Sequence, residues 1–287
     1  MSYNLYNGCI YVATGIKFVE EAVRSAQSFK AAMPEIPIWL WSDLNPKRQD
    51  LFDKVVQIKN PARSFEDKIR PLLESPFHKT IFLDTDTYVC GSLDDVYQIL
   101  DRFDFAAAHP VLRVTRVQDL PDAFPEVNSG VMAFRSSDAL QEVFKKWLQL
   151  YAKHVEVTGQ LDDQPPLRVA LYESNLRIAI LPPEYNLRTI LPGAIGRGRV
   201  KVIHGRQRNM KSVEAMLNNS QRPRVFFTQF REFLPRHLIF LSVPGRFFGS
   251  LFSIFGWLGF WIGNFFDGIF YRLNKMRLSV FNSQSPF

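Results

Sequence analysis

Three apolar residues, Ile81, Phe82 and Leu83, run directly into Asp84-Thr85-Asp86-Thr87, and this junction constrains the chain more than any other stretch. A continuous apolar run without polar alternation suits a strand buried on both faces of a mostly parallel sheet. The carboxyl ends of such strands are where open α/β sheets bind ligands. Asp84 and Asp86 are two residues apart, and in extended backbone that spacing puts both side chains on one side. Two hard oxygen ligands can then converge on one divalent cation. The same residues also fit a solvated turn after a strand, where Asp is common. The rest of the chain has to discriminate.

Strand and helix patterns alternate on both sides of the junction. Cys9 to Gly15 reads as a buried strand ending in small residues. A helix follows with Phe18, Ala22, Ala26 and Phe29 inward and Glu20 and Glu21 in its first turn, closed by Pro34 and Pro37. Ile38–Trp41 and Val55–Ile58 are further strands, and Phe65–Leu73 is a helix around Lys68 that Pro71 interrupts or bends. Beyond the junction come a helix over 93–100, a strand over 105–108, a loop over 111–127 and a strand entered from Asn128-Ser129-Gly130. An amphipathic helix spans Ala139–Ala152, another begins at Pro165, and the last strands are Ile178–Leu181 and Val200–Ile203. This order predicts an α/β fold, an open Rossmann-like mixed sheet flanked by helices.

Composition matters at the C-terminal end. The formal charge is +7, yet residues 222–287 alone hold eight Arg and Lys against two acids, and 15 of the 26 Phe. Basic, aromatic-rich sequence points to an anionic membrane surface rather than to nucleic acid. Residues 247–266 carry no charge, and a bilayer-spanning helix needs ~20 residues. Gly249, Gly256 and Gly263 would line one face of a helix there. A Phe-rich helix buried in a core is the other account of the segment. The expected organisation is a catalytic domain over 1–221 and a membrane-associated tail over 222–287. Cys9 and Cys90 fit neither a metal knuckle nor a disulfide framework, and residues 1–8 lack the charged-then-apolar pattern of a secretory signal. The catalytic domain is therefore expected on the cytoplasmic side.

Five elements occur in order: Tyr11-Val12-Ala13-Thr14, Lys68 ahead of Leu83-Asp84-Thr85-Asp86, Asn128-Ser129-Gly130-Val131-Met132, Asp163-Gln164, and Val202-Ile203-His204-Gly205. In this order, over roughly residues 8–208, the chain resembles the GT-A-fold nucleotide-sugar glycosyltransferases, most closely the group related to glycogenin and bacterial galactosyltransferases. The resemblance implies that Tyr11, Ala13 and Thr14 contact the nucleoside and that Lys68 approaches the ribose or phosphates. It implies that Asp84, Asp86 and His204 hold Mn²⁺ or Mg²⁺ against the diphosphate, with Thr85, Gly205 and Arg206 beside it. Asn128, Ser129, Gly130, Asp163 and Gln164 would line the donor sugar and the acceptor cleft. It further implies retention of anomeric configuration, with a glycan or lipid-linked acceptor at a membrane. Family members commonly follow the histidine with a glycine and Lys-Pro-Trp; here Gly205-Arg206-Gln207-Arg208-Asn209 follows, and Arg206, Arg208 or Lys211 could supply that charge.

The chemistry suits these residue types. A nucleoside diphosphate gains negative charge as the sugar departs, and a divalent ion offsets it without a proton. Carboxylates with one imidazole suit Mn²⁺. Plainer readings exist for each part: Asp163 as the N-cap of the helix at Pro165, Asn128-Ser129-Gly130 as a turn, His204 as a partly buried core histidine. Two other functions also fit parts of the pattern. Leu83-Asp84-Thr85-Asp86-Thr87 matches the haloacid-dehalogenase phosphatases, with Asp84 as nucleophile and Asp86 as general acid, although Asp162-Asp163 follows no buried strand. A membrane-bound scaffold without catalysis would leave the ordered polar motifs unexplained.

Overall fold

The computed structural model of the chain describes residues 5–110, 117, 120–189, 193–219, 223–228 and 238–242. The first three strands and two helices are β1 (Asn7–Ala13), α1 (Ile16–Ala32), β2 (Ile38–Ser42), β3 (Lys54–Gln57) and α2 (Glu66–Leu73). Next come β4 (Lys79–Leu83), β5 (Thr87–Val89), α3 (Asp94–Ile99), β6 (Phe105–Ala108) and β7 (Val131–Arg135). The remainder is α4 (Asp138–Thr158), α5 (Gln164–Tyr172), β8 (Ile178–Leu181), β9 (Leu187–Arg188), β10 (Gly193–Ile195), β11 (Val202–His204), α6 (Met210–Asn218), β12 (Arg224–Thr228) and β13 (Leu238–Ser242).

A seven-stranded sheet runs in the order β3-β2-β1-β4-β7-β6-β8. β3, β2, β1 and β4 are mutually parallel, β7 is antiparallel to both neighbours, and β6 pairs parallel with β8. Every residue of β4 is buried, as its unbroken apolar run requires. One face of the sheet packs on α1 and α3 through Ala22, Ala26, Phe29 and Val96, with Cys9, Tyr11, Leu40 and Leu83 from the strands. The other packs on α2, α4 and α5 through Ile69, Phe144, Trp147 and Leu167, with Ile10, Phe82 and Phe134. Phe134 and Phe144 meet edge to face, ring centroids 5.0 Å apart. Each fully buried large apolar side chain stabilises the fold by about 1.5–3 kcal/mol.

Several expected boundaries move for identifiable reasons. Glu20 and Glu21 fall in the second turn of α1, because the helix starts at Ile16 behind Gly15, whose φ of 93° only glycine adopts readily. Phe18 is exposed rather than inward. α2 continues two residues past Pro71. α4 runs on to Thr158, where Gly159 in the left-handed conformation ends it. Asp84 to Asp86 is not extended backbone: Thr87 N–H donates to the Asp84 carbonyl at 3.2 Å, closing a turn.

That turn leads into a second, three-stranded sheet, β5-β11-β9, with β5 antiparallel and β9 parallel to β11. A third sheet has the order β10-β12-β13. The chain divides into compact units over Met1–Leu241 and Ser242–Phe287. Residues 247–266 lie outside the described residues, and among those described no helix is long and apolar enough to cross a membrane.

Candidate active site

A cleft of about 530 Å³ opens at the carboxyl end of β1 and β4. One wall carries Val12, Thr14, Lys17, Phe18, Arg63, Phe65 and Asp67; the floor carries Lys68, Asp84, Thr85, Asp86 and His204. Asn128, Ser129, Leu161, Asp162, Asp163, Gln164, Arg188 and Arg206 complete the lining. The volume is in the range of small-ligand sites, about 300–1,000 Å³.

The metal-type cluster is built by pairing across the second sheet. His204 on β11 is in register with Thr87 on β5, which brings the imidazole to the residue before it. Nε2 of His204 lies 3.3 Å from Asp86 Oδ1 and 3.8 Å from Asp84 Oδ2. One ligand atom from each of Asp84, Asp86 and His204 falls within 4.8 Å of the others. Gly130 makes this close approach feasible. A Cβ there would run into His204 Cε1 and come within 2.7 Å of Asp84 Oδ2. Its carbonyl accepts from Asp84 N–H at 2.7 Å.

A directed chain of hydrogen bonds orients the imidazole. Gly130 N–H donates to Asn128 Oδ1 at 3.1 Å, which fixes which end of that amide accepts. Asn186 Nδ2 then donates to the same Oδ1 at 2.8 Å, and Asn128 Nδ2 donates to Gln164 Oε1 at 2.7 Å. Asn186 therefore presents Oδ1 to His204 Nδ1 at 2.8 Å, a contact the ring meets with its Nδ1–H and one that turns Nε2 toward the carboxylates. Two carboxylates and one imidazole nitrogen, in a cradle that a Cβ would fill, fit a divalent ion such as Mn²⁺ or Mg²⁺.

Charge is balanced locally. Lys68, buried in the first turn of α2, sits 2.7 Å from Asp163 Oδ2, 3.6 Å from Asp84 Oδ1 and 3.0 Å from Ser129 Oγ. Burial alone would lower its pKa, but Asp163 and Asp84 outweigh that and raise it, so Lys68 stays charged. Burial raises the Asp84 carboxyl against the pull of Lys68 and His204. For Asp86 burial also acts upward, yet the hydrogen bond and charge of His204, with the charge of Arg206, bring it down to about 2. Arg206 pairs with Glu21 at 2.8 Å and with Asp86 at 3.1 Å.

Most of the sequence-predicted site residues meet here, and some do not. Thr14, Lys68, Asp84, Thr85, Asp86, Asn128, Ser129, Asp163, Gln164, His204 and Arg206 line the cleft. Tyr11 and Ala13 do not: both side chains are buried in the core beneath α1, and the Tyr11 hydroxyl pairs with Ser25 Oγ at 3.0 Å. Val12 on β1 and Thr14 just past its end take the cleft side instead. Gly130 and Gly205 stand behind the lining. Gly205, at φ 129°, donates its N–H to the Asp86 carbonyl at 2.9 Å. Thr85 lines the cleft, but its hydroxyl donates to Glu21 at 3.2 Å. Asp163 sits at the N-cap position of α5, but its side chain caps nothing; it accepts from Ser129 Oγ at 2.9 Å and pairs with Lys68. Sequence reasoning missed Glu21, Asn186 and Arg188; the polar residues just after β8 were the available signal for the last two.

No family model matches this chain, and no curated protein sequence matches it. Solved structures do. The galactosyltransferase LgtC, solved with donor and acceptor sugar analogs, superposes with a TM-score of 0.51 at 15% identity, over 69% of this chain and 86% of that one. The glycosyltransferase GlyE of Streptococcus pneumoniae TIGR4 gives 0.50 at 17% identity, over 64% of this chain and 47% of that one, so the match spans about half of GlyE. At these identities the likeness is one of fold. The parallel-rich sheet with flanking helices is the GT-A fold of glycosyltransferases.

Proposed function

We propose that the chain is a metal-dependent glycosyltransferase that moves a sugar from a nucleotide-diphosphate sugar, a UDP-sugar foremost, to a glycan or lipid-linked acceptor. The convergence of Asp84, Asp86 and His204 at the carboxyl end of the sheet, facing Asp163, Gln164 and Asn128 across one cleft, carries this reading. Mn²⁺ or Mg²⁺ held by those three ligands would offset the charge that develops on the departing diphosphate. Arg206, anchored by Glu21, adds a fixed positive charge beside it in place of a lysine. Val12, Thr14 and Phe18 offer the nucleoside an apolar and polar wall. Asn128, Asp163 and Gln164 present amide and carboxylate groups to sugar hydroxyls, and Lys68 holds Asp163 in place. Retention of configuration rests on the order of motifs, and attachment to the cytoplasmic face of a membrane rests on the basic, Phe-rich composition of 222–287.

A phosphatase using Asp84 as nucleophile agrees less well. It needs Asp86 to carry a proton, whereas His204 and Arg206 hold that carboxyl near 2. Asp162 and Asp163 also precede a helix rather than end a strand.

The test is turnover of UDP- and GDP-sugars by the purified chain, with and without Mn²⁺, beside an Asp84→Asn, Asp86→Asn double variant. Metal-dependent nucleotide release that the variant loses is expected. Phosphate-ester hydrolysis through a phosphorylated Asp84, with no nucleotide sugar consumed, would overturn the reading.

A further inference from the structure

Two cations on the floor of the cleft are already committed: Lys68 to Asp163 and Asp84, Arg206 to Glu21 and Asp86. Arg188 is not. It lines the same cleft half-buried, and among the described residues its buried Nε has no hydrogen-bond partner and its guanidinium no carboxylate. A guanidinium N–H withdrawn from water without an acceptor is unfavourable unless a ligand supplies one.

Register locates what that ligand can be. Arg188 on β9 is the direct partner of His204 on β11, so the two side chains leave the same face of the sheet. The strand order β5-β11-β9 puts Asp86, just ahead of β5 and paired with Arg206, on one flank of His204 and Arg188 on the other. Arg206, tied to Glu21 of α1, marks the flank of the nucleotide and diphosphate. Anything Arg188 meets lies on the flank away from it. The donor sugar is a poor source of negative charge there, because the groups that would surround it, Asp162, Asp163, Asn128 and Gln164, are acidic or neutral. They suit hydroxyls and would repel a carboxylate.

We propose that Arg188 receives the anionic group of a negatively charged acceptor, a phosphate or a carboxylate. The planar fork of a guanidinium matches either group with two parallel hydrogen bonds. The assignment rests on the transferase reading and deepens it, by giving the acceptor a charge as well as a hydroxyl.

The full chain, its Arg188→Gln and its Arg188→Lys variants would be assayed with one nucleotide sugar and Mn²⁺ on matched acceptors. These are a neutral glycoside, the same glycoside bearing a phosphate monoester, and the corresponding uronic acid glycoside. The expected result is a preference of the wild type for one of the charged acceptors, which names phosphate or carboxylate. The charged-to-neutral ratio of kcat/KM should fall roughly 10- to 100-fold in Arg188→Gln and less in Arg188→Lys. An equal fall on charged and neutral acceptors overturns the proposal, as does a loss seen as a raised KM for the donor. Metal-dependent transfer with no charge preference in the wild type sinks this assignment while the transferase reading stands. If the wild type consumes no nucleotide sugar, both fail together.

Discussion

Nδ1 of His204 lies 2.8 Å from Oδ1 of Asn186, and that amide is in turn fixed through Asn128 by the backbone N–H of Gly130. The bond turns the imidazole so that Nε2 faces Asp84 and Asp86. Asn186→Ala should weaken Mn²⁺ binding by about 10- to 100-fold, the usual range for losing a group that orients a ligand. Titration calorimetry with Mn²⁺ on the free protein reads this directly. Unchanged affinity would mean that the histidine needs no such support.

Gly130 sits where a side chain would displace both His204 and Asp84. Gly130→Ala should therefore lower metal affinity at least as much as Asn186→Ala and also cost about 1–3 kcal/mol of stability through overpacking. Urea unfolding beside the same calorimetric titration separates the two effects. A variant as stable and as metal-binding as wild type would contradict the packing described.

Lys68 joins Asp163 to Asp84 with all three groups withdrawn from bulk water to different extents. Removing it leaves carboxylates uncompensated, and Lys68→Met should destabilise by about 3–5 kcal/mol. Adding Asp163→Asn to that variant should recover at least ~1 kcal/mol, since one of the stranded charges is gone. Additive losses in a double-mutant cycle would show that the two side chains are not coupled.

How much of this was legible before the structure depended on whether the signal was local. The apolar run of β4, the periodicity of α4 and the helix holding Lys68 were readable because each is set by residues near in sequence. Tyr11 was misplaced because both faces of β1 are buried, so no polar alternation tells which side meets the cleft. β5 and β9 are strands of three and two residues, too short to show a period, whereas the stretch Val200–Ile203 did mark β11, which starts two residues later. Glu21, Asn186 and Arg188 acquire their roles from partners such as Arg206 and His204 that the fold alone brings near.

The corrected place of Tyr11 has its own consequence. Its ring is fully buried and its hydroxyl pairs with Ser25, which also pairs with Thr87 Oγ1 at 2.7 Å. Tyr11→Phe should cost about 0.5–1.5 kcal/mol in unfolding free energy and leave the affinity for a nucleotide diphosphate where it was. Weaker nucleotide binding at unchanged stability would return Tyr11 to the cleft wall.

Asp104 ties β6, β7 and β8 together at the β8 edge of the sheet. Its carboxylate accepts from Arg177 at the backbone N–H and at the guanidinium, 3.0 and 3.1 Å away, and from Arg135. The hydrogen bonds from the Arg177 side chain lead in holding its pKa well below the usual carboxylate range, against the opposing effect of burial. A carboxyl depressed in the folded state stabilises fully above its unfolded pKa, near 4, and loses that contribution as pH falls toward the folded value. Asp104→Asn should thus be less stable than wild type by about 1–3 kcal/mol at pH 7, and the gap should narrow between pH 4 and pH 2. Urea unfolding of both proteins across that range measures it. A gap that stayed constant would assign the loss to packing rather than to the charge on Asp104.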